Sequence, residues 1–329
     1  MLDIRILGPI TVVVDGHYQA IQARKVRAVL CILALNARRV VSNDELIDEL
    51  WDEQPPAKVR NALQANILRL RRSLGVHDTA VQVVQTMNNG YMLNAEDGQI
   101  DAYRFQDLVE RGRAEATRRP SHAIELLTSA LRLWRGPALD DVSGGRCKAA
   151  AVQLDELRLA AQEHLVAARL AIGDERTVVT ELRSLVAQHP GREDLVGQLM
   201  VALYRCGRQP EALDLFHRAR IWLSDELGVE PRVHLRNLYR AILVQDPSLD
   251  IHMNARYEMT GKPVASAGAL AFGCSLCYCG RLSCRNPGRD APASARSIWL
   301  STGRVWLGSI ISSTDSRSAE ISGFITSLR

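Results

Sequence analysis

Apolar and polar residues alternate at the start of the chain. Leu2, Ile4 and Ile6, then Val12 and Val14, share one face of an extended backbone, with Gly8-Pro9 and Asp15-Gly16 as turns. Short antiparallel strands are predicted there. The period then becomes helical from Arg24 to Leu35, with Val26, Val29, Leu30 and Leu33 inward. In "VVSNDELIDELW", Ser42 or Asn43 is placed to cap a second helix whose first turn holds Asp44 and Glu45, as a helix dipole prefers. Pro55-Pro56 prevents that helix from continuing. A third helix follows, with Val59, Leu63, Ile67, Leu70 and Leu74 on one side. "AVQVVQT" and "MLNA" then read as two strands joined by a turn at Asn-Asn-Gly. The order of strands, three helices and a hairpin predicts a winged helix-turn-helix over residues 1–97, able to work alone as a fragment of residues 1–100.

From Asp101 to about Pro247 the pattern is helical almost throughout. Gly173 and Gly207 lie 34 residues apart, and the same offset pairs Ala168 with Ala202, Val179 with Leu213, and Leu182 with Phe216. A period of that length with small residues at helix contacts is the tetratricopeptide signature. "SHAIELLTSALRLW" matches "PEALDLFHRARIWL" as the second helix of such a unit. The expected fold class is therefore mainly α with small β, a winged helix followed by an all-helical TPR-like domain over 101–247. Its groove would bind peptides or proteins, or the solenoid would serve only as a packing or dimerisation scaffold. Residues 248–329 carry no amphipathic period and are expected to be a disordered tail. Cys274, Cys277, Cys279 and Cys284 lie there in a C-x2-C-x-C-x4-C arrangement, too closely spaced for a zinc ribbon and hence only a weak metal candidate.

Charge changes the picture at one place. The net charge of the 329-residue chain is only +4, so affinity for nucleic acid must come from a local patch. Residues 57–75 supply it, with five basic residues and no acidic one. Opposite the apolar stripe lie Asn61, Gln64, Ala65, Leu68, Arg69 and Arg72, with Arg60 and Arg71 at the edges. Arg, Asn and Gln carry the planar groups that read base edges in a major groove, and apolar residues can pack on a thymine methyl. A solvated basic face is the bland alternative, but it predicts no particular neighbours, whereas every neighbour of a DNA-reading helix is present. The expected base contacts are Gln64, Asn66, Arg69 and Arg72, with Asn61 and Arg71 at the margins. Arg24, Lys25, Arg27, Arg38, Arg39, Lys58 and Arg60 are expected on phosphates, which fix register without reading sequence. Asn88 and Asn89 form the tip of the wing.

No paired carboxylates, His/Cys cluster or nucleophile motif occurs with its partners in the helical half, which argues against an enzyme, and "TGKP" at 260–263 is not a P-loop, so no cofactor is expected. The N-terminus is not a signal peptide and no stretch has the length of a membrane span, so the expected location is the cytoplasm, on the nucleoid. Cys31, Cys147 and Cys206 read as buried reduced thiols.

"ARKVRAVLCILALNARRVVSNDELIDELWDEQPPAKVRNALQANILRLRRSLG", "NNGYML", "DAYRF", "ALRLWRGPALDDV" and "EALDLFHRARIWLSDELGVEPRVHLRNLYRAIL" resemble the Streptomyces antibiotic regulatory protein family. The resemblance runs in order over roughly residues 2–247. It implies an OmpR/PhoB-type winged helix joined to a bacterial transcriptional activation domain. It also implies a pathway-specific activator of a secondary-metabolite gene cluster that binds double-stranded promoter DNA. Two copies would sit side by side on direct repeats near the −35 element and contact the sigma and alpha subunits of RNA polymerase holoenzyme. Trp51, Asp52, Glu53 and Gln54 would face polymerase. A repressor of the same fold and a non-enzymatic adaptor using the solenoid are the alternatives.

Overall fold

The computed structural model describes residues 2–51, 54–74, 83–142 and 144–250. The chain opens with a three-stranded antiparallel sheet, β1 (Leu2–Arg5), β2 (Thr11–Val14) and β3 (His17–Gln19). Ile4 pairs with Val12 and both are fully buried, as the alternation predicts. β3 has no apolar alternation of its own. Asp15 and Gly16 both take positive φ (51° and 82°) between paired Val14 and His17. That two-residue turn matches the twist of the strands and sends the chain back along β2.

Next come α1 (Arg24–Leu35), β4 (Val40–Ser42), α2 (Asn43–Trp51), α3 (Val59–Ser73), β5 (Val84–Met87) and β6 (Gly90–Leu93), the last three strands forming a sheet in the order β4-β6-β5. Ser42 is the cap of α2. Its Oγ accepts the Glu45 N–H at 3.2 Å while the Glu45 carboxylate accepts the Ser42 N–H at 3.0 Å, a reciprocal capping box. Gly90 is required by a close approach: a Cβ there would stand 2.0 Å from the Val41 carbonyl oxygen, so no side chain fits between β4 and β6.

The helical half comprises α4 (Asp101–Glu115), α5 (Pro120–Leu131), α6 (Gly145–Ala171), α7 (Glu175–Gln188), α8 (Glu193–Arg205), α9 (Gln209–Leu227) and α10 (Val233–Leu243). The 34-residue period has a backbone cause. Gly173 and Gly207 follow α6 and α8 with φ of +83° and +76°, the left-handed conformation that lets each helix turn sharply into the next. Ala168 and Ala202, Leu182 and Phe216 are buried at the helix contacts they were expected to make.

The core does not divide where the chain changes from mixed to all-helical. One buried cluster runs from Ile4 through Leu30, Leu63, Leu70 and Leu93 to Phe105, Leu127, Trp134, Cys147 and Leu165; a second runs from Leu159 to Leu249. The division falls within α6. Asp101, 1% exposed at the start of α4, accepts hydrogen bonds from the Ile6 and Leu7 N–H groups at 2.7 and 3.1 Å, and Arg135 reaches the same carboxylate at 3.4 Å. The Leu7 carbonyl accepts the Arg135 N–H at 2.8 Å. A fragment ending at residue 100 would lose the Asp101 and Arg135 bonds to Ile6 and Leu7 and the part of the common core cluster supplied by Phe105, Leu127, Trp134 and Leu165, so it does not fit this packing as an independent unit.

Candidate nucleic-acid interface

α3 buries Leu63, Ile67 and Leu70, together with its C-cap Leu74, against the first core cluster and turns Arg60, Asn61, Gln64, Ala65, Leu68, Arg69 and Arg72 outward. Lys58, just before it, is also exposed. The outward set carries four planar hydrogen-bonding groups beyond Arg60, and no acidic residue lies on α3. Its last turn holds Arg71 and Arg72, as the negative end of the helix dipole favours.

Two expected base-reading residues are placed elsewhere. Asn66 is 6% exposed because it stands three residues after Leu63 and four before Leu70, on the inward face; it cannot reach a groove. Arg71 bends to the hairpin. Its Nε and Nη2 donate to the Val84 carbonyl at 3.0 and 2.9 Å, and Nη2 also donates to Thr86 Oγ1 at 2.8 Å. It is a strut between α3 and the wing. The wing tip, Asn88 and Asn89, is exposed, and the Asn89 carbonyl accepts the Asn43 N–H at 3.0 Å, which ties the tip to the start of α2.

Residues 21–93 match the family "Transcriptional regulatory protein, C terminal", and residues 100–243 match "Bacterial transcriptional activator domain". "Transcriptional regulator RedD" of Streptomyces coelicolor is 42% identical over 254 residues, covering 76% of this chain and 73% of that protein. The chain belongs to the Streptomyces antibiotic regulatory protein family. "Regulatory protein DnrI" of Streptomyces peucetius is 38% identical over 257 residues, 76% of this chain and 94% of that protein. Among solved structures, "Mycobacterium tuberculosis EmbR in complex with low affinity phosphopeptide" aligns with a TM-score of 0.72 at 35% identity, over 79% of this chain and 69% of that one. The family and these relatives are transcriptional regulators, and the fold is their winged helix followed by a helical domain.

Among the basic residues outside α3 that were expected on phosphates, Arg27 and Lys25 are engaged within the protein. Arg27 donates to the Ile21 and Gln22 carbonyls, each at 2.9 Å, and lies 3.9 Å from Asp141, so it braces the entry to α1 rather than waiting for phosphate. The Lys25 ammonium sits 4.3 Å from the Trp51 ring centroid, a cation–π contact, while Arg24 is exposed beside it. The Arg38 N–H bonds to the Leu93 carbonyl at 2.8 Å, at the end of β6 away from the wing tip. Four residue steps, about 13 Å of extended chain, separate Leu93 from the tip at Asn89, so Arg38 and Arg39 are exposed at the far end of β6. Lys58 and Arg60 are the phosphate candidates that stay on the α3 surface. Trp51 is part-buried against the core under Lys25, which removes it from the proposed polymerase-facing set. Gln54 is exposed, and Asp52 and Glu53 lie outside the described residues, as do the four tail cysteines.

The sequence reading missed a contact that the regulator uses to hold its two halves together. The Glu49 carboxylate of α2 accepts the Arg146 and Cys147 N–H groups at 2.9 and 2.8 Å, capping the N-terminus of α6 from another element. Arg146 Nη1 donates to Glu45 at 2.8 Å. The backbone bond from Ser42 and then Arg146 hold the Glu45 carboxyl below the usual glutamate range. Glu45 and Glu49 of α2 are thus engaged with α6. Burial pushes the Cys31 and Cys147 thiols up, away from the thiolate form. Among the described residues no cluster of His, Cys, Asp and Glu could hold a metal, and no helix is long and apolar enough to cross a membrane.

Proposed function

We propose that this regulator is a sequence-specific DNA-binding activator of transcription, pathway-specific for a secondary-metabolite gene cluster. The observation that carries the reading is the outward face of α3. An amphipathic helix buried along Leu63, Ile67 and Leu70 presents Asn61, Gln64, Arg69 and Arg72 to solvent with no acid among them. In a winged helix the corresponding helix lies in the major groove. Asn61, Gln64, Arg69 and Arg72 read base edges, Lys58 and Arg60 hold phosphates, and Asn88 and Asn89 meet the adjacent backbone or minor groove.

Residues 1–97 act on DNA and residues 101–247 act on protein, although they fold around a common core. Asp52, Glu53 and Gln54 meet polymerase, since acids next to a DNA-reading helix are repelled by phosphate and serve no contact with the duplex. Two copies bind side by side on direct repeats near the −35 element, in the cytoplasm on the nucleoid. The protein catalyses no reaction and needs no cofactor.

Run-off transcription with purified polymerase holoenzyme tests this, using the promoters of the gene cluster that encodes the protein. Adding the full chain raises transcript from at least one of them several-fold. Asp52→Ala with Glu53→Ala keeps promoter affinity within about twofold, because exposed charges are worth only tenths of a kcal/mol, yet lowers transcript. A fall in transcript on adding wild-type protein makes it a repressor and ends the activator reading.

A further inference from the structure

Leu68 stands in the middle of the outward face of α3 and is 49% exposed. At 100° per residue, Gln64 and Arg72 fall about 40° to either side of it, and Asn61 about 20° away. Ala65, one turn earlier, is exposed beside it. A scattered surface leucine needs no explanation. This one is ringed by planar hydrogen-bonding side chains on a helix without a single acid.

A surface built for a polyanion that keeps an apolar side chain at its centre needs an apolar feature to meet there. In the major groove one base supplies it: thymine, through its C5-methyl group. Cytosine has only a hydrogen at that carbon, and adenine and guanine present their N7 and N6 or O6 groups, which a leucine leaves without a partner.

We propose that Leu68, with Ala65 beside it, selects thymine at one position of the binding site by packing on the C5-methyl. The proposal rests on α3 being the DNA-reading helix. Gln64 and Arg72 then read the base pairs on either side, so the face reads by hydrogen bonds at its flanks and by a methyl contact at its centre.

The test separates this from DNA binding as such. Duplexes are enriched from a random-sequence pool by the full chain, and each thymine of the enriched site is replaced singly by deoxyuridine, which pairs identically but lacks the methyl. Wild-type protein loses about fourfold in affinity at one thymine, the weight of one buried methyl group. Leu68→Ala, which keeps a strong helix former on an exposed position, binds the thymine duplex more weakly by a similar factor and no longer distinguishes it from the deoxyuridine duplex. Enriched duplexes that bind equally well with deoxyuridine at every thymine overturn the proposal while leaving the DNA reading intact. So does full discrimination by Leu68→Ala. Failure to enrich any sequence overturns the DNA reading, and the methyl contact with it.

Discussion

Arg71→Ala separates a base-reading arginine from one that holds the wing. The substitution removes two hydrogen bonds to the Val84 carbonyl and one to Thr86 Oγ1. A hydrogen bond from a charged donor is worth about 1.5–3 kcal/mol, but Arg71 is part-exposed and Thr86 exposed, so water replaces much of it. A net loss of about 1 kcal/mol remains for the wing position, roughly fivefold in its docking equilibrium. DNA affinity should therefore fall by up to about fivefold, and by the same factor on every sequence. Arg71→Lys should behave nearly like alanine, because an ammonium cannot reproduce the two-pronged contact. Thr86→Val should weaken binding less and should not add fully to Arg71→Ala, since both remove one shared bond. Fluorescence anisotropy against the enriched duplex and a panel of its single base-pair substitutions provides the readout. A parallel shift across the panel is expected. A loss concentrated at one base pair would refute the strut and restore Arg71 to the reading face.

A fragment of residues 1–100 should show no cooperative thermal unfolding and should bind a hydrophobic dye, whereas residues 1–171, which retain α4 to α6, should melt cooperatively; a sharp transition for the short fragment would contradict the shared core. Glu49→Ala should lower Tm by about 2–4 °C, since it leaves two N–H groups of α6 uncapped at a cost of about 1 kcal/mol; Glu49→Gln, which keeps one acceptor, should lose less, and an unchanged Tm would show that water caps α6 equally well. Glu45 is held below its ordinary value of 4.5 in the folded state, so its contribution is present above that pH and lost as pH falls through the folded value. The Tm gap between wild type and Glu45→Gln should accordingly be open at pH 6 and close towards pH 3, and a gap independent of pH would remove the ionic role of Glu45.

How much of this was legible in the sequence depends on how local each cause is. α1 spans Arg24–Leu35 as its periodicity predicts, and the outward face of α3 follows from the spacing of Leu63, Ile67 and Leu70. β4 escaped because three residues carry no period of their own; only pairing with Tyr91 and Met92, far along the chain, makes Val40–Ser42 a strand. Asn66 suits base reading by residue type, but its angle puts it with the leucines. Arg71 suits the margin of the reading face by its angle, but its partners lie 13 and 15 residues on, beyond the helix it belongs to. The same holds for Glu49, whose partners on α6 are 97 and 98 residues away. Acids in α2 look like ordinary solvated charges until the fold brings a helix N-terminus to them.

The central claim is that the outward face of α3 reads DNA sequence, and Arg72 tests it most directly. Arg72 is exposed on α3, so its removal leaves the core untouched. Full-length wild type and Arg72→Ala are titrated in parallel against the enriched duplex and a scrambled duplex of the same composition, each at several salt concentrations. If Arg72 reads a base, the variant loses about 1–3 kcal/mol on the enriched duplex, while the scrambled duplex loses only the salt-dependent share of one charge. Equal losses on both duplexes would show that α3 meets DNA, if at all, only as a positive surface, and would contradict the account.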